Sequence, residues 1–269
     1  MPDFSPLAMV ALNLSLAITA ALILWIYAQR IRDVSFIDAF WAFGMVLMAI
    51  TSFVMAGGSF ERRALLTCLC FVWGLRLGLH LLGRWRREGE DRRYVSLFER
   101  ARAKGIDFRA ASLVFVFVPQ AILMWMVSLP VQLGQTGGDL GLLTWVGSGL
   151  AITGIVIEAV ADAQLEAFRK DTAQSGQIMD RGLWRYSRHP NYFGDACVWW
   201  GLFIIALGAP LGWLALPGPL FLTWTLLKWS GAPLLEKSLV ERRPGYSDYV
   251  ARTSSFILWP PKALPKDQP

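Results

Sequence analysis

The sequence predicts an all-α, polytopic membrane protein with seven transmembrane helices, the N-terminus outside and the C-terminus in the cytoplasm. Its 269 residues are 55% hydrophobic and 17% charged, which is more apolar than an average soluble domain. Seven apolar stretches nearly free of charge are close to the length that crosses a bilayer. They cover about 7–28, 34–55, 64–83, 111–133, 140–161, 193–208 and 211–229, and form a single membrane domain over 1–269.

The basic residues predict the orientation. Nine Lys and Arg lie in 84–109, five in 169–188 and seven from 228 onward, whereas the alternate loops carry only Arg62 and Arg63. The positive-inside rule therefore places the basic loops in the cytoplasm. The net charge of +6 follows from this topology and does not point to nucleic acid.

The cysteines and histidines do not predict a metal site or a disulfide framework. Cys68, Cys70 and Cys197 all fall within predicted spans. The two histidines are far apart, and no zinc-ligand spacing is present.

The second span contains an acid about one turn inside the membrane. Asp38 stands in VSFIDAFWAFG. An ionisable side chain at this depth is costly and usually faces a cavity or a partner, which makes Asp38 a candidate catalytic residue. The alternative is an interfacial carboxylate that caps the start of the helix, beside Ser35.

The third span carries Arg76 and His80 on one face, four residues apart. Gly74 and Gly78 would allow a neighbouring helix to approach closely. Arg76 needs a counter-charge, and Asp38 is a candidate. A structural ion pair and a packing role for His80 remain open.

The following loop contains GEDRRY (89–94) and then a predicted amphipathic interfacial helix over Tyr94–Lys104. Six residues so dense in charge exceed what a simple membrane anchor needs. The alternative is a solvated charged surface.

The fifth span ends in a row of acids. Glu158, Asp162 and Glu166 are spaced by four residues and share one helix face. Stacked carboxylates repel one another unless basic or hydroxyl-rich groups face them. The expected partners are Arg185, Arg188 or the ribose of a ligand.

RYSRHPNYFGD (185–195) is the densest polar motif of the chain. Pro190 predicts that a helix begins near Asn191, with Asn191 and Asp195 on one face. Helix N-termini bind anions, so a phosphate-bearing ligand is one interpretation. A positive membrane-flanking cluster is the other.

These polar motifs lie on one side of the predicted bundle. A polyanionic cofactor entering from the cytoplasm could use arginines for its phosphates, carboxylates for its ribose and aromatic rings for stacking. A lipophilic substrate would arrive from the bilayer, towards Asp38. The layout alone does not separate a nicotinamide reductase from a methyltransferase that uses S-adenosylmethionine, although a phosphate-rich cofactor better explains so many arginines.

LWRYSRHPNYFGD resembles the carboxy-terminal signature of the steroid 5-alpha-reductase superfamily. It is particularly similar to the RHPNYxGD segment of sterol C14 reductases and to bacterial members grouped as a domain of unknown function. AQLEAFRK and LLEKSLVERRPGYSDY are similar to the elements on either side of that signature, and GEDRRY fits the bacterial subgroup. The resemblance covers most of 84–258.

The resemblance implies a seven-helix enzyme of a bacterial inner membrane that reduces a carbon–carbon double bond with NADPH, without metal or flavin. Residues 1–110 would form the substrate-side helices and a cytoplasmic loop, and 111–269 the cofactor-binding core. Membrane lipids would surround it, and no obligate protein partner is evident. The cofactor site facing the cytoplasm would comprise Asp91, Arg93, Tyr94, Asp162, Arg169, Arg181, Arg188, His189, Asn191, Tyr192, Asp195, Glu236, Tyr246 and Tyr249.

The implied mechanism is hydride transfer to the β carbon of an enone whose ketone is polarised by a proton donor. Asp38 falls where the steroid reductases place a carboxylate that hydrogen-bonds this ketone. To donate, Asp38 would have to be protonated, and burial favours the neutral form of a carboxyl group. Those enzymes pair the acid with a tyrosine on the third span, where this chain has Trp73. An indole donates a hydrogen bond but is not a practical acid.

Two other functions remain as alternatives. Isoprenylcysteine carboxyl methyltransferases, which use S-adenosylmethionine, share an RHPxYxG segment and a Glu…Tyr-x-x-Tyr tail, but GEDRRY, FRK, Asp195 and Asp38 favour the reductase. The other alternative is a lipid-binding or transport bundle, whose transport form would spread polar residues along a path through the membrane. Here they gather on one side.

Overall fold

The computed structural model describes residues 5–229, 236, 239–240 and 243–263. Every regular element in these ranges is a helix and none is a strand, which confirms the all-α class. The helices are α1 (Pro6–Ile31), α2 (Ile37–Met55), α3 (Phe60–Glu88), α4 (Arg92–Ala103), α5 (Phe108–Val127, with a π turn at Leu113–Phe117), α6 (Leu129–Leu133), α7 (Leu142–Lys170), α8 (Pro190–Ala206), α9 (Pro217–Trp224, followed by a π turn at Thr225–Trp229) and α10 (Tyr246–Arg252).

Five helices are long and apolar enough to cross a bilayer, and they identify the chain as a membrane protein. They are α1, α2, α3, α5 and α7, which correspond to the first five predicted spans. The stretches predicted as spans six and seven are helical as well. They form shorter helices, with 17 residues in α8 and 8 in α9.

The chain divides into two compact units. The first comprises the described residues of Met1–Val146 and Leu202–Gly218, and the second those of Gly147–Gly201 and Pro219–Pro269. In the first unit, α2 and α3 pack closely because α3 presents glycines to α2, as the sequence predicted. A Cβ atom on Gly74 would lie 2.5 Å from the Val46 side chain, and one on Gly78 would lie 2.5 Å from the Phe43 ring.

Polar side chains join three helices inside the first unit. The amide of Asn13, in α1, donates to Ser52 Oγ of α2 at 2.9 Å and to Gln132 Oε1 of α6 at 3.0 Å. All three residues are fully buried. Buried polar groups are stable only when hydrogen-bonded, so this cluster fixes how the three helices meet.

Arg62 joins the start of α3 to two other segments of the first unit. Its side chain donates to the carbonyl oxygens of Gly138 at 2.8 Å, Asp139 at 2.8 Å and Ile205 at 2.9 Å. Only 2% of the residue is exposed. One guanidinium thus connects the start of α3 to the 138–139 segment and to the end of α8.

In the second unit, α7 and α8 touch through glycines. A Cβ atom on Gly154 would lie 2.5 Å from the carbonyl oxygen of Gly194, and one on Gly194 would lie 2.6 Å from the backbone nitrogen of Glu158. This contact brings the acidic end of α7 beside the first turns of α8. The two elements that the sequence singled out for polar chemistry are therefore neighbours.

We expect Arg62→Leu to lower the melting temperature of the purified protein strongly. The leucine would remove the hydrogen bonds that the guanidinium donates to three backbone carbonyls, each of which contributes about 0.5–1.5 kcal/mol to stability. Glu61→Gln, which alters an exposed charge in the same turn, is the matched control and should melt like the wild type. Equal melting temperatures for Arg62→Leu and the control would contradict this role.

Candidate functional site

Asp38 lies in the first turn of α2 and faces the start of α4. Arg93 Nη2 is 2.6 Å from Asp38 Oδ2, and the Tyr94 hydroxyl donates to Asp38 Oδ1 at 2.7 Å. Arg84 Nη2, from α3, is 3.8 Å from the same carboxylate. Since 19% of the Asp38 side chain is exposed, the carboxylate is partly open to solvent or a ligand.

The GEDRRY motif begins α4 and holds it against the start of α2. Asp91 is the N-cap of α4, and its side chain accepts from the Arg93 backbone nitrogen at 2.8 Å. The Asp91 backbone nitrogen donates to Ser35 Oγ at 2.8 Å, which connects α4 to the segment before α2. Asp91 Oδ2 also lies 2.9 Å from Arg93 Nη2. The motif is thus a helix start that delivers Arg93 and Tyr94 to Asp38.

Burial and neighbouring charges set the protonation of Tyr94, Arg93 and Asp91. Burial, followed by the neighbouring Asp38 carboxylate, raises the pKa of Tyr94 well above its ordinary value, so the phenol stays neutral. Burial opposes the charge of Arg93, but Asp38 and Asp91 outweigh it and raise the Arg93 pKa. Burial would raise the Asp91 pKa, but bonds with Arg93 lower it. The result is a neutral hydroxyl held within an ionised network.

The sequence assigned Asp91, Arg93 and Tyr94 to the cofactor and named Arg76 as a partner of Asp38. In the structure, the three GEDRRY residues gather at Asp38 itself. The Asp38–Tyr94 pair supplies a phenol beside the acid, although position 73 is a fully buried tryptophan. Sequence reasoning missed this pair because its members are 56 residues apart. The tyrosine that ends a charged motif was the only signal.

In the second unit, Arg188 binds the carboxy-terminal part of the chain. Its guanidinium donates to Glu236 Oε1 at 2.8 Å and to the carbonyl oxygens of Val250 at 2.9 Å and Thr253 at 2.7 Å. The Arg188 backbone nitrogen donates to the Ser254 carbonyl at 2.8 Å. With its donors used in this way, Arg188 holds the carboxy-terminal segment against the start of α8.

His189 and Glu236 complete this cluster. His189 Nε2 lies 2.8 Å from Glu236 Oε1, and the imidazole stacks on the Tyr192 ring with 5.3 Å between centroids. Burial alone would raise the pKa of Glu236, but the hydrogen bonds from His189 and Arg188 outweigh burial and lower it. Glu236 therefore stays ionised between two donors.

Two buried tyrosines of α10 join the tail to the segment before α8. The Tyr249 hydroxyl donates to the carbonyl oxygen of Trp184, and the Tyr246 and Tyr249 rings lie 5.6 Å apart. Burial, with the Glu236 charge, raises the Tyr246 pKa to about 12. Both hydroxyls are neutral, and Tyr249 has a structural role.

Asp162 of α7 and Asn191 of α8 form the part of the second unit best suited to a ligand. Asn191 Nδ2 donates to Asp162 Oδ1 at 3.1 Å. The other amide atom, Asn191 Oδ1, is buried and has no hydrogen-bond partner among the described residues. A buried acceptor of this kind can accept a hydrogen bond from a ligand. The hydroxyls of a ribose or the carboxamide of a nicotinamide supply such donors, so these residues fit a dinucleotide.

The chain was compared with known proteins. A family model described as "Protein of unknown function (DUF1295)" matches residues 24–253. The chain belongs to this family. It is also similar to the uncharacterized protein C594.04c of Schizosaccharomyces pombe, with 22% identity over 270 residues that cover 87% of this chain and 75% of that protein. No solved structure matches it.

The DUF1295 match includes the Asp38 cluster and the Arg188–His189–Glu236 cluster. The remaining predicted residues belong to the second unit. Asp195 is buried in α8, one turn after Asn191. Arg169 and Arg181 are exposed, where they can meet the phosphates of a ligand. In the acidic row of α7, Glu158 and Asp162 are buried, whereas Glu166 pairs with Lys170 at 3.0 Å. Within the described ranges, no group of His, Cys, Asp and Glu could hold a metal ion.

For this DUF1295 protein we expect the stabilising effect of Glu236 to depend on pH. Because its pKa is lowered in the folded state, its contribution is complete above the ordinary value of 4.5 and is lost as the pH falls below it. The melting temperature of Glu236→Gln should therefore be several degrees below wild type at neutral pH and approach it in acid. Glu99→Gln, on the exposed face of α4, is the control. A difference that does not change with pH would contradict the ion pair.

Proposed function

We propose that this chain is a membrane-embedded reductase that uses NADPH to reduce the carbon–carbon double bond of an enone in a steroid or related lipid. The observation that carries the proposal is the Asp38–Tyr94 hydrogen bond of 2.7 Å. It offers a neutral phenol, held by an acid, at the position where the resemblance to steroid 5-alpha-reductases expects a group that polarises the substrate ketone.

Tyr94 is the proton donor in this proposal, and Asp38 is its positioning partner. With Arg93 beside it, Asp38 serves as an acceptor rather than a donor. The Tyr94 hydroxyl would turn to the substrate oxygen and donate as negative charge develops there. Arg93, whose guanidinium carbon lies 5.8 Å from the Tyr94 ring centroid, would stabilise the phenolate left by proton transfer.

The reaction balances as enone plus NADPH plus one proton, giving saturated ketone plus NADP⁺. When bound, NADPH supplies the hydride that adds to the β carbon. Tyr94 protonates the oxygen, and the resulting enol becomes the ketone as its α carbon gains a proton and its oxygen loses one. A solvent proton restores Tyr94, and water reaches the edge of the cluster, where the Arg93 side chain is partly exposed.

The second unit would hold the cofactor. Asp162 and Asn191 suit the ribose and carboxamide, because they combine an acceptor carboxylate with a buried amide oxygen that needs a donor. Arg169 and Arg181 would bind phosphate oxygens, for which guanidinium groups suit both charge and geometry. The Arg188–His189–Glu236 cluster would keep the first turn of α8 in place. Tyr192, stacked on His189, would offer a ring edge to the ligand.

The proposal includes the finer topology. Counting α8 and α9 as spans gives seven, with the N-terminus outside and the basic loops, together with the cofactor site, facing the cytoplasm of a bacterial inner membrane. A lipophilic substrate would enter from the bilayer, where the helices are embedded.

Cofactor binding is the first test. A ligand that binds only the folded state adds about 2.7 kcal/mol of stability at one hundred times its Kd. We expect NADPH to raise the melting temperature of the detergent-purified protein, and Asn191→Ala to abolish the shift. Gln177→Ala, an exposed amide in the loop before α8, should keep it. A shift with S-adenosylmethionine and none with NADPH would replace the reductase by the rival methyltransferase.

Loss of the phenol should separate chemistry from binding. We expect Tyr94→Phe to lower kcat for reduction of a 3-oxo-4-ene steroid by roughly 100-fold, the contribution typical of a positioned acid. Its NADPH-dependent thermal shift should stay unchanged. Tyr27→Phe removes an exposed hydroxyl from α1 and should keep full activity. Wild-type turnover in Tyr94→Phe would exclude the phenol as the donor.

A further inference from the structure

A cavity in the first unit plays no part in the proposed reaction. It has a volume of about 600 Å³ and lies where α1 ends and α5 begins. Both helices are long and apolar enough to span a bilayer. The cavity is therefore at the level where apolar sequence gives way to charged sequence, the interfacial region of a membrane.

Hydrogen bonds between the two helices form a fixed wall for this cavity. Trp25 Nε1 donates to the Arg109 carbonyl oxygen and to Ser112 Oγ, both at 3.2 Å. Gln29 Nε2 donates to the same Ser112 Oγ at 3.1 Å. The end of α1 is set by Arg32, whose backbone has a left-handed φ of 58°. The cavity is thus a built feature and not a gap between loose segments.

Three arginines line the cavity, and aromatic rings orient two of them. The Arg32 guanidinium lies 5.5 Å from the Phe108 ring centroid, and that of Arg109 lies 5.4 Å from the Trp25 ring centroid. Arg30 is the third. A guanidinium that rests on a ring keeps its in-plane N–H donors available to an anion. With one lining carboxylate, Asp107, the cavity remains cationic.

An apolar track leads away from the cavity along α1. Ile26 lines the cavity and is 53% exposed, and Leu22 and Ile18, one and two turns earlier, are 40% and 37% exposed. A spacing of four residues keeps the three side chains near one helix face. A ligand whose phosphate sits among the arginines would find hydrocarbon surface directly beside it, towards the centre of the bilayer.

We propose that this cavity binds the phosphodiester headgroup of an anionic glycerophospholipid, with an acyl chain along the Ile18–Leu22–Ile26 track. Arginine donors match phosphate oxygens in pairs, and basic pockets between membrane helices on the cytoplasmic side favour anionic headgroups. The apolar track selects a lipid over a free phosphate, which would gain nothing from it. The site is separate from the Asp38 cluster and does not depend on the proposed reductase activity.

The test follows the melting temperature of the full-length protein in detergent micelles. Phosphatidylglycerol is titrated in one arm, phosphatidylcholine at equal mole fraction in a second, and inorganic phosphate in a third. We expect a saturable rise with phosphatidylglycerol and little response in the other arms. R32Q/R109Q should weaken the apparent affinity for phosphatidylglycerol by about tenfold or more, since each basic side chain near an anionic surface contributes a factor of several.

Matched variants keep the outcomes distinct. R86Q/R100Q removes the same charge from exposed positions outside the cavity and should keep the wild-type response. R32K/R109K keeps the charge without the paired donors and should respond in part. If R32Q/R109Q has a lower melting temperature than wild type without lipid, R32K/R109K replaces it in the comparison. A response of R32K/R109K to phosphatidylglycerol equal to that of wild type would then overturn the paired-donor site. Equal weakening in R86Q/R100Q would overturn the proposal in favour of diffuse surface charge, and an equal response to inorganic phosphate would overturn it in favour of a free-anion site.

Discussion

A polar group buried among apolar helices is stabilised by a hydrogen-bond partner, and the packing of the helices in this structure depends on that constraint. Leaving such a group unpaired costs more free energy than its hydrogen bond contributes when made. Asn13 meets Ser52 and Gln132 for this reason, and Arg62 collects backbone carbonyls. Each pairing fixes the rotation of a helix, which hydrophobic contacts alone define poorly.

The same constraint explains the two polar clusters. Asp38 could not remain at the start of α2 without donors, and the GEDRRY helix start supplies them. Glu236 receives Arg188 and His189 in the same manner. In both clusters a carboxylate accepts hydrogen bonds from residues about 50 positions away in the sequence. The polar residues of the candidate site therefore also form its tertiary contacts.

Much of the fold was predictable because hydropathy and glycine placement are local signals. The five long helices match predicted spans, and Gly74 and Gly78 mark a close helix contact. Site residues within one motif, such as Asn191 after Pro190, were also accessible, since the proline sets the helix start. The partners of Asp38 could not be predicted, because periodicity does not indicate which of the many arginines and tyrosines lies nearby in space. The sequence offered Asp38 only as one candidate counter-charge for Arg76, and it gave no sign of the contact with Arg93.

The contacts of Arg188 have a consequence for how the protein is made. Its partners lie 48 residues later at Glu236 and 65 residues later at Thr253. Chains emerge from the ribosome in order, and early segments fold first. The α7 and α8 segments are therefore synthesised before the residues that hold Arg188 and His189 exist. The Arg188–His189–Glu236 cluster is therefore completed only after Glu236 and Thr253 have been synthesised, so a chain terminated before them can possess the five long apolar helices and still lack this cluster.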